Sequence, residues 1–420
     1  MKTQSGCDSY HEWSRRNVLK GVATGAAALL FGPSALAQLA LKKEQDDHDA
    51  LVVIFLRGGA DGLNMVTPYR ESAYYKLRPS LSLAGPTKGT RADRVLDLDG
   101  FFGLHPAMAP IEPLFKEGKL ACVQAVGSND GTRSHFEAMM AMERGLPYMG
   151  PGASRSNGWM ARYLNATATE QDSPLRALAI GDLMPDSLRG APGASNISEI
   201  GQYQLQGTAA YRRAIERAYA KGDDAMTYAG RETLTLLNTL DRLDYKAYKP
   251  AAAYPTSDLG QGLKQVAFLL KAGVGLEVAF LDKGGWDTHF AQGGSTGQHA
   301  GLVGDLAQSM RAFADDLGSR LGRTSVVVMT EFGRRAYENA SLGTDHGRAS
   351  VMFTMGGATK GGKVYGDWPG MEEKSLEGPG DLHVTTDYRS VLAEVLRKRM
   401  GLRDVGAVFP GFEAKELGLV

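Results

Sequence analysis

The sequence is poor in cysteine and carries no net charge. Only Cys7 and Cys122 occur among 420 residues, and Cys7 lies in a predicted leader, so the mature chain has no partner for an intramolecular disulfide. The 47 basic side chains equal the 47 acidic ones, which excludes a bulk field favouring nucleic acid or an anionic membrane surface. Stability must therefore come from packing, and 43% hydrophobic residues over this length allow a large core.

The N-terminus has no apolar run long enough to span a bilayer stably. The run at 21–32 is short and rich in Gly and Ala, and it follows the motif SRRNVLK at 14–20. Small residues at Ala35 and Ala37 suit a signal peptidase. We predict that residues 1–37 are a twin-arginine signal peptide recognised by the twin-arginine translocase, which makes the protein periplasmic or secreted, without a stable membrane anchor. The alternative is an uncleaved basic anchor helix.

Apolar runs of strand length alternate with amphipathic stretches along the rest of the chain. The predicted strands are 50–57, 120–126, 175–180, 276–281, 325–330 and 350–355. The clearest predicted helices are 134–144, 259–272, 300–321 and 386–400. This alternation predicts an α/β fold, a doubly wound, mostly parallel sheet with helices on both faces. We expect residues 38–420 to form one domain, with two consecutive helices at about 207–248 as a helical insertion.

Polar residues follow these strands, where open α/β sheets bind ligands. The residues are Arg57 and Asp61 after the first strand, Arg133, Ser134 and His135 after the second, Asp287 and His289 after the fourth, and Glu331, Arg334, Asp345 and His346 after the fifth. Carboxylates and imidazoles are ligands for one or two divalent cations, and arginines hold oxyanions. The sequence therefore predicts a metal site at this edge of the sheet.

Each of these residues also has a purely structural interpretation. The Gly-rich stretch 58–62 is typical of a turn, Asp287 could cap the segment after it, and Glu331 could form a surface ion pair. The dipeptide Asp345-His346 could be only a turn. Ser134 precedes an amphipathic stretch in a typical N-cap position, but a hydroxyl at a helix N-terminus beside a cation is also a plausible nucleophile.

Five motifs resemble those of the domain-of-unknown-function 1501 family, twin-arginine-exported proteins related to the alkaline phosphatase and sulfatase superfamily. The motifs are LRGGADGLN at 56–64, RSHF at 133–136, GGWDTH at 284–289, TEFGR at 330–334 and DHG at 345–347. The resemblance runs from about residue 50 to the C-terminus. It implies an alkaline phosphatase-like fold.

The resemblance also implies roles for individual residues. In order along the chain, the superfamily's metal ligands fall on Asp61, Asp287, His289, Glu331 and His346, and its nucleophile falls on Ser134. Phe332 stands where the superfamily has a histidine, so one imidazole ligand is missing. No Cys/Ser-x-Pro-x-Arg stretch is present, which argues against a sulfatase with a formylglycine nucleophile.

These observations predict a metal-dependent hydrolase or transferase for a phosphate or sulfate ester. Ser134 is the expected nucleophile, one cation lies on Asp61 and Glu331, and a second cation lies on Asp287, His289 and His346. Zinc, manganese and calcium are the candidate metals, and Arg57, Arg133 and Arg334 are the candidates for binding the oxyanion. Two alternatives stay open: a non-catalytic exported binding or assembly protein on a degenerate site, and a single-cation hydrolase with water as the nucleophile.

Overall fold

A computed structural model describes residues 48–148, 157–169, 172–203 and 205–420. The predicted leader at 1–37 lies outside the described residues. Within the described part of the chain, no helix combines the length and the apolar character that crossing a bilayer requires.

Fourteen strands occur in the described residues. They are β1 (Ala50–Leu56), β2 (Val66–Thr67), β3 (Leu96–Asp97), β4 (Gly103–Leu104), β5 (Leu120–Gly127), β6 (Ala177–Ile180), β7 (Ser195–Ile197), β8 (Val278–Lys283), β9 (Thr324–Thr330), β10 (Ser350–Met355), β11 (Val364–Tyr365), β12 (Leu376–Glu377), β13 (Asp381–Leu382) and β14 (Thr386–Asp387). All six predicted strands are present, because each is a run of residues that the fold buries on both faces of the sheet.

The described α-helices connect and cover these strands. They are α1 (Gly62–Met65), α2 (Ser72–Leu77), α3 (Glu112–Lys116), α4 (His135–Glu143), α5 (Trp159–Ala166), α6 (Ala209–Tyr219), α7 (Ala225–Arg242), α8 (Asp258–Ala272), α9 (Gln298–Leu317) and α10 (Tyr388–Lys398). The helices α6 and α7 occupy the stretch for which two consecutive helices are predicted. Of these two, α6 buries no side chain, whereas α7 buries Leu236 and Leu240 in the main core.

The central sheet has nine strands, in the order β11-β5-β10-β9-β1-β8-β6-β7, with β14 also paired to β5. Its core lies on both faces of β1, whose residues are at most 2% exposed. Val52 and Ile54 pack with α8 and α9 on one face, while Val53 and Phe55 pack with α5 and α10 on the other. Burying one such side chain contributes about 1.5–3 kcal/mol. The prediction of a mostly parallel sheet with helices is confirmed.

One strand of the main sheet runs against the others. β10 pairs antiparallel with both β5 and β9, whereas β1 pairs parallel with β8 and β9. The carboxyl ends of β1, β5, β8 and β9 therefore meet at one edge, and the start of β10 lies at the same edge. This direction brings His346, which precedes β10, to the loops that follow the parallel strands. We call this side of the sheet the carboxyl edge.

Candidate functional site

Four side chains converge at the carboxyl edge: His135, Asp287, His289 and His346. Oδ1 of Asp287 lies 3.0 Å from Nε2 of His289, 3.1 Å from Nε2 of His346 and 3.4 Å from Nε2 of His135. The ligand atoms of His135, Asp287 and His346 all lie within 4.8 Å of one another. Two imidazoles and one carboxylate at such distances could hold a transition-metal cation, and Nε2 of His289 adjoins them. We call these four residues the His/Asp cluster.

The Nδ1 atom of every imidazole in the cluster is bound to an oxygen that only accepts. The acceptors are Oε1 of Glu331 for His135 at 2.7 Å, Oδ1 of Asp345 for His289 at 3.2 Å, and the carbonyl oxygen of Arg133 for His346 at 2.8 Å. In the neutral rings, Nδ1 must therefore carry the proton, and Nε2 keeps a lone pair directed at the cluster. Partners of this kind orient metal-binding histidines in proteins.

Asp287 is held ionised at the centre of the cluster. Burial opposes the charge, but the hydrogen bond and the positive charge of Arg334 outweigh burial and lower the pKa of Asp287 to about 2. The NH2 group of Arg334 lies 2.7 Å from Oδ1 of Asp287. The side chain of Asp287 is still 47% exposed, so one side of the cluster is open to solvent. An open side is what a catalytic metal site needs for its substrate.

The imidazoles differ in how firmly they hold a second proton. The hydrogen bond with Glu331 raises the pKa of His135, while burial lowers the pKa of His346. Nε2 of His135 is buried and has no hydrogen-bond partner. A cation at the cluster would compete with a proton for this nitrogen, so we expect cation binding to weaken as pH falls.

Gly58 lets the first loop approach the cluster closely. Its φ of +121° lies in the region that favours glycine, and a Cβ there would lie 2.5 Å from the backbone nitrogen of Asp287. Its own N–H donates to Oε1 of Glu331 at 2.8 Å. The Gly-rich stretch after β1 is therefore a turn, as the structural interpretation holds, and it also supports the cluster.

Glu331 contacts the His/Asp cluster through His135. Its Oε1 accepts hydrogen bonds from Gly58 and His135, and its Oε2 accepts from the hydroxyl of Thr330 at 3.0 Å. The side chain is fully buried. These contacts position the ring of His135, and they also bind both oxygens of the carboxylate that the sequence assigns to a cation site with Asp61.

Asp61 belongs to a separate, fully buried ion pair. Its Oδ2 lies 2.6 Å from NH1 of Arg78 and also accepts from Nε2 of Gln292 at 2.6 Å. Burial alone would raise the pKa of Asp61, but the charge and hydrogen bond of Arg78 keep it below its usual range. Asp61 is not among the residues of the His/Asp cluster, and Arg78 compensates its charge.

Two of the three predicted oxyanion-binding arginines are occupied by protein groups. Arg57 contacts Asp282 at 2.7 Å and Glu143 at 2.5 Å. The side chain of Arg334 is fully buried. Its Nε donates to the carbonyl of Gly59, its NH1 to the carbonyl of Thr344, and its NH2 to the carbonyl of Trp286 and to Asp287. Arg57 thus pairs with two carboxylates, and Arg334 contacts the loops that carry the cluster.

The remaining predicted residues flank His135 on the same loop. The carbonyl of Arg133 orients His346, and its guanidinium group contacts Asp381. Ser134 is the N-cap residue of α4, but its side chain makes no capping hydrogen bond. The hydroxyl of Ser134 therefore does not act as the predicted cap. In the sequence, Ser134 lies between Arg133, whose carbonyl contacts His346, and His135 of the cluster.

His135 is the site residue that the sequence-based assignment omits. The sequence places His135 after the second strand. Because Phe332 stands where the superfamily has a histidine, the missing ligand was a reason to look for another imidazole near this edge of the sheet. In the structure, the rings of His135 and Phe332 pack with centroids 4.8 Å apart. His135 thus brings an imidazole to the cluster beside the position where the resemblance expects one.

The fold and these residues define an α/β protein with a candidate metal centre at the carboxyl edge of its sheet. The chain belongs to the family described as "Protein of unknown function (DUF1501)", which matches residues 48–408. None of the curated proteins compared with the chain matches it.

Two solved structures are similar to the chain over most of its length. The PsFucS1 sulfatase from Pseudoalteromonas sp. is 13% identical, with 91% of this chain and 75% of that chain covered and a TM-score of 0.38. Ps i-CgsB in complex with k-i-k-neocarrahexaose is 12% identical, with 76% and 68% covered and a TM-score of 0.35. Because both TM-scores are below 0.5, neither similarity indicates a function for this chain.

Proposed function

We propose that this chain is an exported metal-dependent hydrolase that acts on a phosphate or sulfate ester. One observation supports it most: Nε2 atoms of three imidazoles surround the ionised Asp287, and each Nδ1 atom is bound to an acceptor. We also propose that the fold is alkaline phosphatase-like, because the sequence motifs occur along the chain in the order that the resemblance implies.

The residues present fit one divalent cation. His135 offers a buried nitrogen without a partner, and Asp287 offers a charged oxygen that is open to solvent. Because imidazoles dominate the donor set, zinc fits best of the three candidate metals, since manganese and calcium prefer oxygen ligands. Asp61 and Glu331 are bound to other protein groups, which favours one cation over the two that the sequence predicts.

The chain's own residues supply the rest of the chemistry. A bound cation would polarise the ester and lower the pKa of a neighbouring hydroxyl group. Ser134 would form a bond from Oγ to phosphorus or sulfur as the bond to the leaving oxygen breaks, and the alcohol would leave with the serine proton. Water would then hydrolyse the serine ester. The partial positive charge at the N-terminus of α4 favours the transferred oxyanion.

Export rests on the leader at 1–37. Replacing Arg15 and Arg16 by lysine keeps the charge but removes the paired arginines, so we expect the full chain to stay in the cytoplasm. Cell fractionation measures this, and unchanged export would contradict the twin-arginine route.

The hydrolase proposal is tested by metal content first. Protein purified without chelator should hold about one equivalent of zinc or manganese by elemental analysis, and the Asp287→Ala/His289→Ala variant should hold none. A wild-type protein that holds no metal after incubation with each cation would contradict the proposal and favour a binding or assembly role.

The nucleophile is tested on the metal-loaded protein with a panel of phosphate and sulfate esters. Ser134→Ala should abolish turnover and any trapped serine ester while keeping the metal. Ser72→Ala is the matched control, because Ser72 is an exposed serine at the start of another helix. Unchanged turnover in Ser134→Ala would remove Ser134 as nucleophile and favour attack by water.

A further inference from the structure

Three arginines that the His/Asp cluster does not use lie beside it. Arg133 precedes Ser134, Arg348 follows His346 by two residues, and NH1 of Arg335 lies 3.4 Å from Asp345. Their side chains are partly exposed, at 35% for Arg133, 25% for Arg335 and 21% for Arg348. We call Arg133, Arg335 and Arg348 the arginine group.

A hairpin holds the arginine group together. Oδ2 of Asp381 accepts from NH2 of Arg133, and Oδ1 of the same carboxylate lies 4.0 Å from Nε of Arg335. NH1 of Arg348 contacts Glu377, which pairs with Asp381 across β12 and β13. The carboxylates of this hairpin therefore lie within ion-pair distance of all three guanidinium groups.

Most N–H groups of the arginine group donate no hydrogen bond to the described residues. The Nε atoms of Arg133, Arg335 and Arg348 are buried and have no hydrogen-bond partner among the described residues. Each guanidinium group has five N–H bonds. Arg133 and Arg335 each use one terminal nitrogen, and Arg348 uses two, one of them for the carbonyl of Ser128 at 3.4 Å.

Nearby arginines that serve the fold are different. All three nitrogens of Arg78 contact protein oxygens, namely the carbonyls of Ala336 and Arg335 and the side chains of Asp61 and Asn64. Arg334 is bound in the same complete way. The unused donors thus distinguish the arginine group from Arg78 and Arg334, whose three guanidinium nitrogens all contact protein oxygens.

We propose that Arg133, Arg335 and Arg348 bind a second oxyanion of the substrate, beside the ester that the His/Asp cluster would cleave. Guanidinium groups match the oxygens of phosphate, sulfate and carboxylate, and groups already fixed by Asp381 and Glu377 lose little freedom on binding. The inference rests on the proposed function and narrows it: the substrate is an ester that carries a further anionic group.

The test uses the full mature chain after metal has been removed with a chelator. Inorganic sulfate, inorganic phosphate and acetate are titrated separately by calorimetry at low chloride concentration. Saturable binding of at least one anion is expected. Each of Arg133→Gln, Arg335→Gln and Arg348→Gln should weaken it about tenfold or more, because each removes charge-assisted hydrogen bonds.

Arg212→Gln is the matched control, since Arg212 is an exposed arginine in α6 that is also paired with an aspartate, Asp241. It should bind like the wild type. Arg348→Lys keeps the charge but not the planar fork, so its binding should lie between those of the wild type and Arg348→Gln. Circular dichroism and the unfolding temperature show which variants are folded.

If sulfate or phosphate binds most tightly, the second anionic group of the substrate is a sulfate or a phosphate. If acetate binds most tightly, that group is a carboxylate. No binding of any of the three anions by the wild type would overturn the inference, as would wild-type affinity in all the glutamine variants. Because the titration uses metal-free protein, a failure here leaves the metal analysis untouched, and a protein without metal can still pass this test.

Discussion

Nε2 of His289 lies 2.8 Å from Nε2 of His346. Both rings bind an oxygen acceptor through Nδ1, so in their neutral forms two nitrogen lone pairs face each other at hydrogen-bonding distance. Two lone pairs repel unless a positive charge lies between them. A proton can fill this role for the pair of nitrogens, and a cation shared with Asp287 would fill it as well.

The contact between Glu331 and His135 should tune the affinity for the cation. Glu331→Gln keeps a hydrogen-bonding side chain but removes the charge that makes His135 a stronger ligand, so we expect metal affinity to fall about 10–100-fold. Competition with a fluorescent chelator measures it. Glu373→Gln, at an exposed glutamate, is the control. Equal affinities in the wild type and Glu331→Gln would rule out the positioning role.

The packing of His135 on Phe332 suggests a rescue experiment. His135→Ala should lose most of its bound metal, because it removes one of three imidazoles. Adding Phe332→His should restore part of it, since ring 332 lies 5.0 Å from the ring of His346 and 4.8 Å from that of His135. Elemental analysis of both variants tests this, and a double variant no better than His135→Ala would contradict it.

The buried pair of Asp61 and Arg78 should act on stability and not on metal content. Arg78→Met leaves a buried carboxylate without its partner and should cost about 3–5 kcal/mol in the free energy of unfolding, measured by urea denaturation. Asp61→Asn should keep the wild-type number of metal equivalents. Loss of metal in a folded Asp61→Asn protein would return Asp61 to the ligand set.

His299 should make the metal-free protein less stable in acid. Burial lowers the pKa of His299 to about 3 in the folded chain, whereas an unfolded histidine titrates near 6.5. Below pH 6.5, only the unfolded chain gains this proton, so the free energy of unfolding should fall by up to about 1.4 kcal/mol per pH unit until pH approaches 3. Above pH 6.5 the residue contributes no pH dependence.

Urea denaturation from pH 7 to pH 4 measures this effect. His299→Gln should show a shallower loss of stability than the wild type over that range, whatever its stability at pH 7. His48→Gln, at an exposed histidine, should retain the wild-type slope. Equal slopes in the wild type and His299→Gln would contradict the prediction.

The sequence predicted the sheet and part of the site for identifiable reasons. The buried strands are continuous apolar runs, and the residues after them reach one edge whatever the details of packing. The direction of β10 could not be read from its composition, although this direction explains why His346 lies in the cluster.

The sequence did not indicate the pairing partners of the site residues. Nothing near Asp61 in the sequence indicates that Arg78 neutralises it, and nothing indicates that Glu331 binds the ring of His135 from 196 positions away. Order along the chain identified residues at the correct edge. Only the fold distinguishes a ligand from the group that holds it, because both are polar residues at strand ends.

The separation of the cluster's residues along the chain has a thermodynamic consequence. Their loops meet only when β5, β8, β9 and β10 have assembled, so an unfolded chain offers no comparable site. A cation that binds only the folded chain stabilises it by mass action, by about 2.7 kcal/mol at a free concentration one hundred times Kd. A chelator that removes the cation would therefore lower the free energy of unfolding of this protein without binding to the protein itself.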